Sequence, residues 1–145
     1  MPFTPLPLLV LYDDTRGRCG PIIPRLVEML EQRGFEVDTH RIEDGPVDID
    51  RYRGVVLGAP TFGLGVRDLP PTDALTEYLE SLDGIEEKQI AVFTVYNVWP
   101  GNALERLKGL VLRVGARFVA HHGYSRLHPE QGDHALPTEC MVRIR

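Results

Sequence analysis

The stretch LPLLVLYDDTRGRCGPIIPRLVEMLEQRG, residues 6–34, decides the fold. Leu8 to Tyr12 is an unbroken apolar run, as a strand covered on both faces requires. Asp13 to Gly20 follows as a glycine-bearing turn. Pro21 suits the first turn of a helix, where its missing N–H has no intrahelical acceptor to lose. Ile22, Ile23, Leu26, Val27 and Leu30 then recur at helical spacing. Pro24 is tolerated only in the first turn, so the helix starts late, and Arg33-Gly34 closes it as a C-cap does. The stretch is a strand, a glycine turn and a helix, which is half of a parallel crossover unit.

The same alternation continues outward. Phe35 to Ile42 alternates as a second strand, and Val55-Val56-Leu57-Gly58 forms a third that runs into Ala59-Pro60-Thr61-Phe62-Gly63. Asp68 to Pro71 leads to Thr72, an N-cap residue type, with Ala74, Leu75, Tyr78, Leu79 and Leu82 on one helical face. Ile90 to Val95 is a fourth strand. Asn102 caps a helix carrying Ala103, Leu104, Leu107, Leu110, Val111 and Val114, and Gly115 ends it. Ala116 to Ala120 is a fifth strand. Strand and helix alternating without repeats or linkers predict one α/β domain over residues 1–145, with a parallel sheet and helices on both faces. From Gly123 to Arg145 the pattern stops. That tail is polar, is interrupted by Pro129 and Pro137, and offers only Cys140 to Ile144 as an edge strand; no final amphipathic helix is expected.

Composition bounds the partners. Of 145 residues, 43% are hydrophobic and 26% charged, the balance of a soluble globular chain. Sixteen Lys and Arg against 21 Asp and Glu give a net charge of −5, which disfavours nucleic acid and anionic membranes, both of which need a basic surface. No apolar run approaches the roughly 20 residues of a membrane span. Leu6 to Tyr12 lacks a preceding cationic segment and reads as a buried strand, not a leader. Two cysteines, Cys19 and Cys140, build no disulfide framework, so a reducing cytoplasm is expected.

In open parallel sheets, ligands bind outside the carboxyl ends of the strands at the topological switch point. Three loops leave those ends: Asp13 to Gly20, Pro60 to Pro70 and Thr94 to Gly101. The first opens a helix, where free N–H groups and the helix dipole favour a phosphate. Arg16 and Arg18 add positive charge there, while Asp13 and Asp14 oppose it unless they point elsewhere. The second loop carries Phe62, and the third carries Tyr96 and Trp99. A flat ring system stacked between those loops would use these aromatics.

These three loops resemble those of flavodoxins, in the family's order, over roughly residues 6 to 122. The resemblance implies an open five-stranded parallel sheet of order 2-1-3-4-5 and non-covalent FMN used for electron transfer. Flavodoxins hold the FMN phosphate with a hydroxyl-rich Ser/Thr-x-Thr-Gly-Asn-Thr loop. The corresponding stretch here is Asp14-Thr15-Arg16-Gly17-Arg18-Cys19. Gly17 matches, Thr15 is the only hydroxyl, and Asp14, Arg16, Arg18 and Cys19 depart from the pattern. The resemblance assigns the phosphate to Thr15, Arg16, Gly17, Arg18, Cys19 and Gly20. Pro60, Thr61, Phe62 and Gly63, with Gly65 and Pro70, match the second loop, with Phe62 covering one ring face. Tyr96 or Trp99 would cover the other, and Asn97 to Gly101 would lie near the pyrimidine edge. The third loop has no acidic residue, so a very low potential is not implied.

Other residues have plainer readings beside their chemical ones. His121, His122, His128 and His134, with Glu130, Asp133 and Cys140, suggest a metal cluster. Adjacent strand residues point to opposite faces, however, and the spacing fits no ligand motif, so no metal is expected. Cys19 at a helix start beside arginines is either a lowered-pKa thiolate or a small core residue. Functionally, the resemblance implies an FMN carrier shuttling electrons between a reductase and an acceptor, its acidic surface suiting a basic partner. An FMN-dependent quinone or small-molecule reductase would instead turn over with a nicotinamide cofactor alone. A flavin-free docking or assembly subunit would stay apo in excess FMN, and Asp14 and Cys19 in the loop motivate it.

Overall fold

The computed structural model describes residues 5–14, 17, 19–60, 73–96, 102–128, 130 and 132–144. Along the chain run β1 (Leu6–Tyr12), α1 (Ile23–Gln32), β2 (Phe35–Arg41), β3 (Gly54–Pro60), α2 (Asp73–Glu80), β4 (Gln89–Tyr96), α3 (Ala103–Arg113), β5 (Arg117–Ser125) and α4 (Ala135–Arg143). The strands form one sheet in the order β2-β1-β3-β4-β5, every pairing parallel. A 3₁₀ turn at Gly20–Ile22 leads directly into α1, and Pro24 lies within its first turn.

The period-two pleat splits β1 between two cores. Leu8 and Val10 join Val56, Ala91, Phe93, Val95 and Tyr124 beneath α1 and α4. Leu9 and Leu11 join Val55, Leu57, Ile90 and Val92 beneath α2 and α3, which contribute Leu75, Leu79, Leu107, Leu110 and Val111. A strand with apolar partners on both sides must be apolar throughout, which is why Leu8 to Leu11 reads as one continuous run.

Several local expectations are corrected. Residues 123–145 are not an irregular tail with an edge strand at Cys140 to Ile144, because α4 occupies Ala135–Arg143. Pro137 sits in its first turn, where a missing N–H costs nothing. Leu136, Cys140 and Ile144, spaced by four, are almost completely buried, while Met141 and Val142 are about half exposed, which blurs the amphipathic pattern. β5 extends past Ala120 to Ser125, because an edge strand tolerates His121 and His122 on its half-solvated faces while Tyr124 anchors it inward. A register shift between Ile90 and Ala91 leaves Val119 as the extra residue of a bulge. Asn102 precedes α3 but makes no side-chain cap; its Oδ1 accepts from Arg106 Nε at 2.9 Å. Thr72 lies outside the described residues.

Candidate functional site

β1, β3 and β4 are consecutive parallel neighbours, so their carboxyl ends at Tyr12, Pro60 and Tyr96 open on the same sheet edge. The ladder continues one step beyond β1, where Asp13 N donates to Gly58 O at 2.9 Å. The chain then turns sharply. Gly17 adopts φ of 65° and donates its N–H to Asp14 O at 2.7 Å, a left-handed position that glycine occupies without steric cost.

Asp14 organises this loop. Its Oδ1 accepts from Gly20 N at 2.7 Å, and its other oxygen lies 3.9 Å from Arg41 Nη1. The carboxylate packs flush on Gly20, because a Cβ built there would lie 3.2 Å from both oxygens. Asp14 N donates to Glu43 Oε1 at 3.0 Å. Partial burial first, then a hydrogen bond with Asp13, raise the Glu43 carboxyl above its ordinary range. Arg41 is turned chiefly toward Asp44, with Nη2 to Oδ1 at 2.9 Å. Asp13, Asp14, Glu43 and Asp44 thus gather where β1 and β2 end. Glu43 and Arg41 were not singled out by motif. The order 2-1-3 could have found them, since whatever follows β2 falls beside the loop after β1.

Of the residues expected to hold a cofactor, the structure places five. Pro60 and Tyr96 end their strands half-buried, Gly17 is exposed and Gly20 half-buried at the helix start. Cys19 is fully buried in the core beneath α1, where burial raises its thiol far above the ordinary range. It therefore sits as a core residue and not as a thiolate. Thr15, Arg16, Arg18, Thr61, Phe62, Gly63, Asn97, Trp99 and Gly101 lie outside the described residues.

The histidines after β4 have separate surroundings. The His121 ring stacks on Phe118 at 6.0 Å, His122 meets Tyr124 edge-on at 4.7 Å, and His134 Nδ1 is 2.9 Å from Arg33 Nη2. Among the described residues no three His, Cys, Asp or Glu side chains form a metal-binding group. Among them, too, no helix is long and apolar enough to cross a membrane.

At the turn that leads into α1, the Asp14 carboxylate takes the Gly20 amide.

The chain has the flavodoxin-like fold. It is similar to the two-electron reduced flavodoxin of Megasphaera elsdenii, with a TM-score of 0.72 and 16% identity over 93% of this chain and 98% of that one. It is equally similar to a Fusobacterium nucleatum flavodoxin bound to flavin mononucleotide, with a TM-score of 0.71 and 13% identity over 96% and 99% of the chains. The fold also recurs within a larger protein, the rubredoxin oxygen:oxidoreductase of Desulfovibrio gigas. There the TM-score is 0.69 at 17% identity, covering 98% of this chain but 36% of that one. The sequence matches no protein-family model and no curated protein.

Proposed function

We propose that this protein is a flavodoxin-like electron carrier that binds flavin non-covalently, as FMN, and passes electrons between a reductase and an acceptor protein. The observation that carries this reading is that the carboxyl ends of β1, β3 and β4, at Tyr12, Pro60 and Tyr96, open on one edge of a 2-1-3-4-5 sheet. One of the similar structures is a flavodoxin holding flavin mononucleotide. The isoalloxazine supplies the redox chemistry when bound, and the protein contributes stacking, backbone hydrogen bonds and local charge. Phe62 with Tyr96 or Trp99 would bracket the ring, and the backbone from Thr15 to Gly20 would lie along the ribityl end. A net charge of −5 suits transient docking to a basic partner. The free, buried thiols of Cys19 and Cys140 suit a reducing cytoplasm.

A second reading is a flavin-free docking subunit, and one observation favours it: the Asp14 carboxylate at the start of α1. The visible absorption spectrum of the purified protein, before and after adding FMN, separates the two. A perturbed two-band flavin spectrum that survives desalting supports the carrier. Colourless protein from which added FMN and added riboflavin both wash away overturns it and leaves the docking subunit.

A further inference from the structure

We propose that Asp14 is the resident anion of the loop between β1 and α1, and that it removes the phosphate from this chain's flavin recognition, so that riboflavin is held at least as tightly as FMN. The proposal rests on the flavin reading above and specifies which part of the flavin this chain recognises.

The backbone amides carry the argument. A helix start binds phosphate because its first N–H groups lack partners. Four of them among the described residues are engaged within the chain, while Thr15, Arg16 and Arg18 lie outside the described residues. Gly20 N is held by the Asp14 carboxylate at 2.7 Å, Gly17 N by Asp14 O at 2.7 Å and Ile22 N by Cys19 O at 3.1 Å. Ile23 N donates to Gly20 O, and Pro21 has no N–H. Asp14 N itself is taken by Glu43. Since Asp14 comes six residues before Gly20, this is a loop-closing contact and not an ordinary local N-cap.

The fit around the carboxylate is close. Both oxygens lie against the face of Gly20, where even a methyl group would be tight at 3.2 Å. A phosphate monoester carries about −1.5 to −2 charges at neutral pH and would have to displace Asp14 or sit beside it. Asp13 and Glu43 lie next to that position and add to the repulsion, with Arg41 3.9 Å from Asp14 as the nearby cation among the described residues. A flavin without phosphate meets none of this opposition, because its ring and ribityl chain are neutral.

The test compares FMN with riboflavin by flavin fluorescence titration, on wild-type protein and on Asp14→Ser, which shortens the side chain and removes its charge. Wild type should hold riboflavin as tightly as FMN or more so. Asp14→Ser should tighten FMN by about tenfold or more and leave riboflavin within about twofold. Wild type preferring FMN by about tenfold, or a serine variant with an unchanged ratio, overturns the proposal. Asp14→Asn keeps an acceptor for Gly20 N while losing the charge, and it substitutes if the serine variant does not fold; its preference should shift the same way by a smaller factor.

If neither flavin binds wild type, the flavin reading fails, and inorganic phosphate alone decides the role of Asp14. Phosphate should then raise the melting temperature of Asp14→Ser saturably and leave wild type unmoved. An equal rise in both proteins overturns the resident-anion assignment.

Discussion

Glu43 reaches from the turn after β2 to accept the backbone N–H of Asp14 at 3.0 Å, so the carboxylate of one strand's loop holds the residue that closes the next. This contact has a pH signature. Partial burial and the hydrogen bond with Asp13 raise the Glu43 carboxyl above its usual 4.5. A group raised in the folded state contributes stability that is fully present below its unfolded pKa and is lost as pH rises through the folded value. Once the pH has passed the folded value, that contribution is gone. Glu43→Gln keeps the acceptor for Asp14 N and removes the charge, so it should be more stable than wild type at pH 7. Although its carboxyl is partly desolvated, most of Glu43 faces water, and screening keeps the gain to about 0.3–0.5 kcal/mol. The gain should shrink as pH falls toward 4. Urea midpoints at the two pH values read it, and a glutamine variant that is weaker at pH 7 would mean that the charge strengthens the Asp14 contact more than it costs.

Gly17 isolates backbone conformation from packing. Its φ is 65°, and a Cβ there would meet nothing within 4 Å. Gly17→Val should therefore cost about 1–2 kcal/mol through backbone strain alone, whereas Gly17→Asn, which tolerates the left-handed region, should cost only a few tenths. Flavin affinity should fall in the same order, because strain at Gly17 disturbs its bond to Asp14 O. Equal affinities in wild type and the valine variant would remove this turn from the site.

Apolar runs made the sheet legible. A strand buried on both faces, such as Leu8 to Leu11, carries no polar residue, and helices such as Ile23–Gln32 show a one-sided stripe. The second half of β5 is not legible in the sequence, because polar residues cost little on an edge strand and His121 and His122 break the apolar run. α4 is not legible either, because Pro137 looks like a breaker unless its place in the first turn is known. At the site, Gly17 could be matched by family pattern and the opposition of Asp14 to phosphate by its charge. That Asp14 would close on Gly20, and that Glu43 would support it, depends on contacts 6 and 29 residues apart in sequence, which no local pattern encodes.

The two cysteines report whether this loop opens on its own. Cys19 and Cys140 are fully buried, and burial pushes the Cys140 thiol up to about 12 and Cys19 still higher. In the native protein both should react with a thiol-specific disulfide reagent at least about a thousandfold more slowly than in urea, as expected for a fold stable by ~5 kcal/mol. Matching rates for the single variants Cys19→Ala and Cys140→Ala would mean exposure through global unfolding. Faster labelling at Cys19 would show that the segment from Asp14 to Gly20 opens locally.

Gly58 links the core to the site. It pairs with Phe93 across β3 and β4, and a Cβ on Gly58 would lie 2.0 Å from Phe93 Cζ. The ring is fully buried and packs edge-on against Tyr124 at 5.9 Å, so it has little room to yield. Gly58→Ala should cost about 3 kcal/mol, the upper end for overpacking a core. Phe93→Leu alone should cost about 1–2 kcal/mol through lost packing. In the double variant the alanine methyl occupies space the ring has left, and the combined cost should fall short of additivity by about 1–2 kcal/mol. Gly58 O also accepts the N–H of Asp13 at 2.9 Å, so displacing the strand moves the residue that begins the loop. Gly58→Ala should accordingly weaken flavin binding, and Phe93→Leu should restore it. Strictly additive urea stabilities, or affinity unchanged by the single glycine substitution, would show that core and site are uncoupled at this strand.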